Sequence, residues 1–344
     1  MSSDKRLKLA GDLAIDLGTT NTRVYAKGEG CVIDEPSVVA VSRERGNIKV
    51  KAVGTEADKM FGRAPAGVEV IRPLRSGVVS DLDITSEMIR HFLRQACGRK
   101  FLSGPAVLIS VASGSTPVER LLVKEAALTA GARKVTLIEG CLAAAIGAGL
   151  PVGDPSASMI VDIGGGTTDV AVLALGGIVY ARSADIGGET MDAAIIDYVR
   201  EVHNVLIGAA TAEMAKREVG TAYRDEPGEG RTLALRGRDL AAGVPAEFMF
   251  SEAEVAQSLI DPITSIYEGI QLALEYTERD LGSDIEASGI WLAGGGACLR
   301  NLDLVIAKAT GLPVHLTANP LACVVDGAGL ALEKKIQLLV SVDG

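Results

Sequence analysis

Asp162-Ile163-Gly164-Gly165-Gly166-Thr167-Thr168-Asp169 follows the apolar run Met159-Ile160-Val161 and leads into a second, Val170-Ala171-Val172-Leu173. An acid at a strand end, a glycine-rich turn with hydroxyls and a returning strand describe a β-hairpin whose tip presents backbone N–H groups. The same device stands near the start of the chain. There Leu13-Ala14-Ile15 leads into Asp16-Leu17-Gly18-Thr19-Thr20-Asn21-Thr22, and Arg23-Val24-Tyr25 returns. Glycines at 18 and 164–166 let backbone approach phosphate oxygens with no Cβ in the way. Thr19, Thr20 and Thr167 add hydroxyl donors. Asp16 and Asp162 suit Mg²⁺ held through its waters, because that ion sheds hydration reluctantly. Either hairpin alone reads as well as an ordinary glycine turn as it does as a phosphate-binding tip. Two of them, one in each half of the chain, predict a two-lobed clamp on a nucleotide's phosphates.

Other phosphate-binding patterns fail. No G-x-x-x-x-G-K-[ST] is present, and Gly147-Ala148-Gly149-Leu150-Pro151-Val152-Gly153 has the wrong spacing for a dinucleotide fingerprint, with Pro151 interrupting the turn. A third glycine element, Ala293-Gly294-Gly295-Gly296-Ala297, ends the strand Gly289-Ile290-Trp291-Leu292-Ala293 and suits an adenine or ribose face. Between these points strands alternate with helices. Residues 31–41, 48–50, 107–111 and 135–138 read as extended. Ile84, Met88, Ile89, Phe92 and Leu93 mark a helix over 84–97; another over 117–131 ends at Gly131. Leu142–Leu150 reads as a short Ala/Gly-rich helix. The second half has a hairpin over 158–182, helices near 190–206 and 211–219, a surface loop at 225–231, and one or two helices over 252–281. This order predicts an α/β fold of two related domains.

Composition narrows the function. The chain has 344 residues, enough for two domains, each with its own core, and 48% hydrophobic content marks it as globular. The 40 glycines have no period, which excludes collagen-like chains. A net charge of −10 argues against nucleic acid as a partner. Cys31, Cys97, Cys141, Cys298 and Cys323 form no C-x-x-C pair and read as buried hydrophobes in a reducing cytoplasm. His91, His203 and His315 lack metal-ligand spacing. No apolar run is long enough to span a bilayer, and Met1–Leu9 lacks the apolar stretch of a signal peptide.

Two acid hairpins, a glycine-rich adenosine turn and small-residue connecting helices resemble the actin, sugar kinase and heat-shock chaperone superfamily. Longer stretches narrow the resemblance. Ile71-Arg72-Pro73-Leu74, Ala143–Val152, the hairpin at 160–172, Ala212–Gly220 and Leu299-Arg300-Asn301-Leu302-Asp303 are similar to the MreB/Mbl family of bacterial actins, which determine rod shape. The likeness runs from about residue 12 to about 334. It implies an actin-like two-lobed fold of duplicated ribonuclease-H-like domains around a nucleotide cleft. The implied core of lobe I is 1–32, 78–149 and 321–344, with a small subdomain at 33–77. The implied core of lobe II is 150–183 and 256–320, with a small subdomain at 184–255. ATP and Mg²⁺ are the implied cofactors, with Mg²⁺ at Asp16 and Asp162. The implied nucleotide-binding residues are Asp16, Gly18, Thr19, Thr20, Asn21, Gly164, Gly165, Gly166, Thr167, Glu213, Lys216, Gly294, Gly295 and Gly296. Glu213 and Lys216 would meet ribose and adenine; read without the resemblance, they are an exposed i,i+3 charge pair. Asp162, Thr167 and Asp169 are the implied catalytic group.

One departure bears on hydrolysis. The family reads Ile-Glu-Glu-Pro-Met before its alanines, where this chain has Ile138-Glu139-Gly140-Cys141-Leu142. The second Glu helps place the attacking water, and Gly140 stands in its position. Adjacent residues point in different directions, so Glu139 is not expected to replace it. Asp169 stands where the family usually has Glu and the chaperones have Asp, which leaves room for partial rescue. Ser76, Asp185 and Asp326 replace the more usual Asp, Arg and Arg.

The resemblance also implies self-assembly into filaments, with protofilaments pairing through the helix that begins Val118-Glu119-Arg120. The neighbouring Leu121-Leu122 fits a contact face or core. It implies the inner face of the cytoplasmic membrane as the location, with membrane-bound cell-wall or shape proteins as partners. Phe101 and Leu102, beside Arg99 and Lys100, align with the family's membrane loop, and Lys5-Arg6-Leu7-Lys8-Leu9 adds weak attraction. Two other readings stand beside the filament. One is a regulatory pseudo-ATPase acting on another bacterial actin, which Gly140 favours. The other is a chaperone-type ATPase, which predicts an appended substrate domain that the sequence does not display.

Overall fold

The structure is a computed structural model that describes residues 12–44, 47–98 and 104–334. The chain forms two compact units. One takes in the described parts of Met1–Asp154, Leu175–Ile178 and Ala322–Gly344; the other is Pro155–Ala174 and Val179–Leu321.

The first unit opens with β1 (Leu13–Leu17), β2 (Asn21–Ala26) and β3 (Gly30–Pro36). Then come β4 (Val39–Glu44), β5 (Asn47–Val53), α1 (Thr55–Asp58), β6 (Val68–Ile71), β7 (Leu74–Arg75) and β8 (Val78–Val79). It continues with α2 (Leu82–Cys97), β9 (Ala106–Val111), α3 (Pro117–Ala130), β10 (Lys134–Glu139) and α4 (Gly140–Gly147), and is completed by α11 (Cys323–Lys334). Its main sheet has the order β10-β9-β1-β2-β3. Leu13, Ile15, Val24, Val107 and Ile109 fill its core with Ile84, Met88 and Phe92 of α2. A capping box starts α3, with Thr116 accepting from the Glu119 amide and Glu119 from the Thr116 amide; Gly131, at φ 108°, ends it as the sequence indicated.

The second unit repeats the pattern with β11 (Ser158–Ile163), β12 (Thr168–Ala174) and β13 (Gly177–Ala184). It continues with α5 (Gly188–His203), β14 (Val205–Leu206), α6 (Ala209–Val219), β15 (Thr232–Asp239) and β16 (Pro245–Ser251). Then come α7 (Glu252–Ser258), α8 (Ile260–Glu275), α9 (Arg279–Ser288), β17 (Ile290–Ala293), a 3₁₀ turn at Gly296–Cys298, α10 (Leu302–Thr310) and β18 (Val314–Leu316). Its sheet order is β13-β12-β11-β17-β18. Each main sheet is thus a hairpin with a third strand beside its second, and two strands parallel to its first. The duplication read from two glycine motifs is a duplication of whole sheets.

Two expectations need correction. Residues 252–281 form parts of three helices rather than one or two: the backbone leaves helical geometry at Leu259, and α9 starts after Glu278. Cys141 and Cys323 are buried, whereas Cys31 and Cys298 are exposed, because β3 and the 3₁₀ turn present them outward.

Candidate functional site

The first acid hairpin is built by β1 and β2, with Asp16 opposite Arg23 and, on the other side, beside Ser110 of β9. The Ser110 hydroxyl donates to Asp16 Oδ1 at 2.8 Å. The Arg23 guanidinium lies 3.9 Å from Asp16 Oδ2 and is drawn closer, at 3.2 Å, to Asp34 of β3. Burial raises the Asp16 carboxyl above its ordinary range; the Ser110 bond and Arg23 offset part of this, and Asp34 adds to it.

The tip is braced from outside. Gly18 N–H donates to the Asn21 carbonyl at 3.1 Å, and a Cβ at residue 18 would sit 2.6 Å from that oxygen, so glycine is required by the turn itself. The Ser37 hydroxyl donates to the Gly18 carbonyl at 2.6 Å and lies 2.9 Å from Thr22 Oγ1; its amide donates to Thr20. Thr19 is buried, and its Oγ1 accepts from the Gly77 amide at 2.9 Å. Gly77 belongs to the two-residue turn between β7 and β8, where Ser76 (φ 45°) and Gly77 (φ 72°) are both left-handed. Asn21 Nδ2 donates to Asp34 at 2.7 Å. The Thr19 and Asn21 side chains therefore hold the tip in shape, and Thr20 is half-buried beside them.

In the second hairpin Asp162 lies opposite Asp169 and beside Ala293 of β17. The tip closes through Gly164 N–H to the Thr167 carbonyl at 2.8 Å. The Thr167 hydroxyl donates to Asp169 Oδ2 at 3.3 Å. The third glycine element meets this hairpin directly. Gly294, at φ +83°, has its open side 2.5 Å from Asp162 Oδ1 as measured from an added Cβ, so no other residue fits there. Asp162, Gly164–Gly166, Thr167, Asp169 and Gly294–Gly296 are thereby gathered at one end of one sheet.

The start of α5 seats on that tip, which the sequence did not reveal. Gly188 N–H donates to the Gly164 carbonyl at 3.0 Å and Glu189 N–H to the Gly165 carbonyl at 2.8 Å. A Cβ on Gly187 would come within 2.6–2.7 Å of both carbonyl oxygens. Lys216 of α6 donates to the Gly188 carbonyl at 2.7 Å and pairs with Asp192 at 2.8 Å. The i,i+3 pair of Glu213 and Lys216 does not form: Glu213 is exposed, and its nearest cation is Arg217 at 3.9 Å.

Gly140 is the buried first residue of α4, and a Cβ there would lie 3.3 Å from the Val111 carbonyl, tight but close to ordinary contact. Glu139 just before it pairs with Arg120 of α3. Register sets Asp16, Ser110 and Ile138 side by side, so strand alternation turns Glu139 to the opposite face from Asp16. Phe101 and Leu102 lie outside the described residues. Ser110 was also missed, although a lone hydroxyl in Val107-Leu108-Ile109-Ser110-Val111 marks an interruption of a buried strand.

A sequence profile described as MreB/Mbl protein matches residues 10–339. The cell shape-determining protein MreB of Escherichia coli strain K12 is 49% identical over 94% of this chain and 94% of its own length. The crystal structure of MreB5 of Spiroplasma citri bound to ADP superposes with a TM-score of 0.88 at 33% identity, covering 94% of this chain and 96% of that one. The same protein bound to AMPPNP matches equally well. The fold is the actin-like one, and the chain belongs to the MreB/Mbl family.

Proposed function

We propose that this chain is a nucleotide-driven, filament-forming protein of cell-shape determination that binds ATP with Mg²⁺. The observation that carries the reading is the duplicated hairpin, with an acid at the same position of the first strand in both sheets. The Spiroplasma relative's ADP and AMPPNP complexes support nucleotide as the ligand. Asp16 and Asp162 would hold Mg²⁺ through water. Asp16 fits this role, because burial leaves its carboxylate short of positive charge with Arg23 drawn toward Asp34. The ion would neutralise phosphate charge. The protein's own part is to hold phosphate oxygens at the two tips, with adenosine near Glu213, Lys216 and Gly294–Gly296.

Self-association is supported by α3, where Val118, Leu121 and Leu128 share one exposed face at 65%, 61% and 50% exposure, with the exposed Glu125 between Leu121 and Leu128. Leu122 packs inward, so Leu121 alone of that pair faces solvent. The division into four subdomains belongs to the same proposal. It is supported by two three-stranded sheets, β5-β4-β6 and β14-β15-β16, that stand apart from the main sheets. No helix among the described residues is long and apolar enough to cross a membrane. Attachment at the inner membrane face, beside cell-wall or shape proteins, would use a surface contact such as Phe101 and Leu102.

Hydrolysis is slow in this reading, because Gly140 brings no carboxylate and Glu139 is committed to Arg120 on the other face. That observation also keeps a second reading alive, a pseudo-ATPase that regulates another bacterial actin. Pelleting without nucleotide, with Mg-ATP and with AMPPNP separates the two. Equal pelleting with both nucleotides and little without them supports the filament; no pelleting in any condition supports the regulator. In the same assay Gly140→Glu is expected to raise phosphate release by about 10²-fold or more. Wild-type release that is already fast would refute the slow-ATPase reading.

A further inference from the structure

We propose that Asp192 is a positioning residue of the nucleotide site, acting through Lys216 on the glycine tip at Gly164. The proposal rests on the nucleotide-binding reading above and names a residue which that reading does not use.

Asp192 lies on the second turn of α5 and Lys216 near the end of α6. Their side chains are 13% and 15% exposed, and Nζ to Oδ1 is 2.8 Å. A Lys216 N–H goes to the Gly188 carbonyl at 2.7 Å, and the Gly188 amide goes to the Gly164 carbonyl at 3.0 Å. An unbroken line of contacts thus runs from Asp192 to the tip. Lysine has three N–H donors. One goes to the Gly188 carbonyl, and the ammonium meets Asp192 as an ion pair. The fit is close: a Cβ at Gly188 would lie 3.3 Å from Nζ, so a larger residue there would press on the ammonium.

The surroundings make Asp192 the deciding partner. Glu189 on α5 and Glu213 on α6 are the other acids whose charges bear on it, and Lys216 is the cation. Without the Asp192 charge, Lys216 is drawn toward Glu213 and Glu189 and away from the Gly188 carbonyl. Burial has a second consequence. It raises the Asp192 carboxyl to about 6 against the pull of Lys216, so mild acid neutralises the group that holds the lysine.

The test is calorimetric titration of the full chain with Mg-ADP, for wild type, Asp192→Asn, Asp192→Glu and Lys216→Met, between about pH 5 and about pH 7.5. Mg-ADP separates binding from hydrolysis, and its own ionisation cancels in the ratio between proteins. At the upper pH, Asp192→Asn is expected to weaken binding about tenfold, the scale of a hydrogen bond to a charged group. Asp192→Glu restores most of the loss. Adding Asp192→Asn to Lys216→Met costs nothing further, because Asp192 acts only through the lysine, whereas Lys216→Met alone costs at least as much as Asp192→Asn. Toward the lower pH the wild-type affinity falls to meet that of Asp192→Asn. Should Asp192→Asn fail to fold, the fall of wild-type affinity toward the lower pH, absent in Lys216→Met, carries the same test. Wild-type binding with Asp192→Asn equal to it at every pH overturns this proposal alone. A wild type that binds no Mg-ADP at any pH overturns the nucleotide reading and this one with it.

Discussion

The two acid hairpins have the same strand order and opposite electrostatics. In the first, the residue across from Asp16 is Arg23 and the residue beside it is Ser110, a cation and a hydroxyl donor. In the second, the residue across from Asp162 is Asp169 and the residue beside it is Ala293. Register partners share a face of the sheet, so the second hairpin sets two acids on one face. Their bracing differs too. The first tip is held by the side chains of Ser37 and Thr19, the second by the backbone at the start of α5. Duplication kept the scaffold and let the two ends diverge: one sets a cation and a hydroxyl around its acid, the other sets a second acid beside its own.

Three substitutions break or sharpen this contrast. Gly187→Ala strikes the backbone brace of the second tip, where a Cβ would crowd the Gly164 and Gly165 carbonyls at 2.6–2.7 Å. Neither carbonyl can move without opening the hairpin, so a loss of about 2–3 kcal/mol is expected. Urea unfolding measures it, and Mg-ADP binding should weaken in parallel. Ser37→Ala removes the first tip's side-chain brace. It is expected to cost about 1–2 kcal/mol, because the Gly18 carbonyl and Thr22 hydroxyl each lose a partner. A loss as large as that of Gly187→Ala would erase the distinction between the two braces.

The smallest effect has the opposite sign. Asp16 has a raised carboxyl, so ionising it costs the folded state stability as pH climbs from the unfolded value near 3.8 through the folded one. Asp16→Asn removes that cost. Near neutral pH, without nucleotide, it is expected to gain about 0.5 kcal/mol, and the gain should vanish in acid below the unfolded value. Thermal melts across pH show both. Under the proposed function Mg-ADP stabilises the wild type, and the variant should lose that gain.

The hairpins were legible because acid, glycine and hydroxyl residues are crowded into stretches of seven and eight residues between apolar strands. Helices α2 and α3 were legible from apolar spacing and from Gly131. What brings Ser37, Gly77, Ser110 and Gly187 to the tips is contact across the sheet or between distant segments, which no local pattern encodes. The break between α7 and α8 falls at Leu259, a residue that signals nothing. Glu213 and Lys216 had the spacing of a helical pair, but a half-buried acid on another helix competes better for the lysine than an exposed one on its own. Two cysteines were misjudged because burial of a small apolar residue follows from its place on an element, not its type.

The seam between α4 and α11 carries a consequence for synthesis. Gly147 and Gly327 have no room for a Cβ against the facing backbones at Cys323 and Ala143, and the Cys323 thiol donates to the Ala144 carbonyl at 3.0 Å. Helices that touch backbone to backbone have no side-chain layer to substitute for the missing partner. Yet α11 is translated after the whole second unit, which is interleaved with the three parts of the first. At ~5–20 residues per second the ribosome takes on the order of ten seconds or more to deliver it. During that interval the alanine face of α4 that α11 covers has no partner from its own chain.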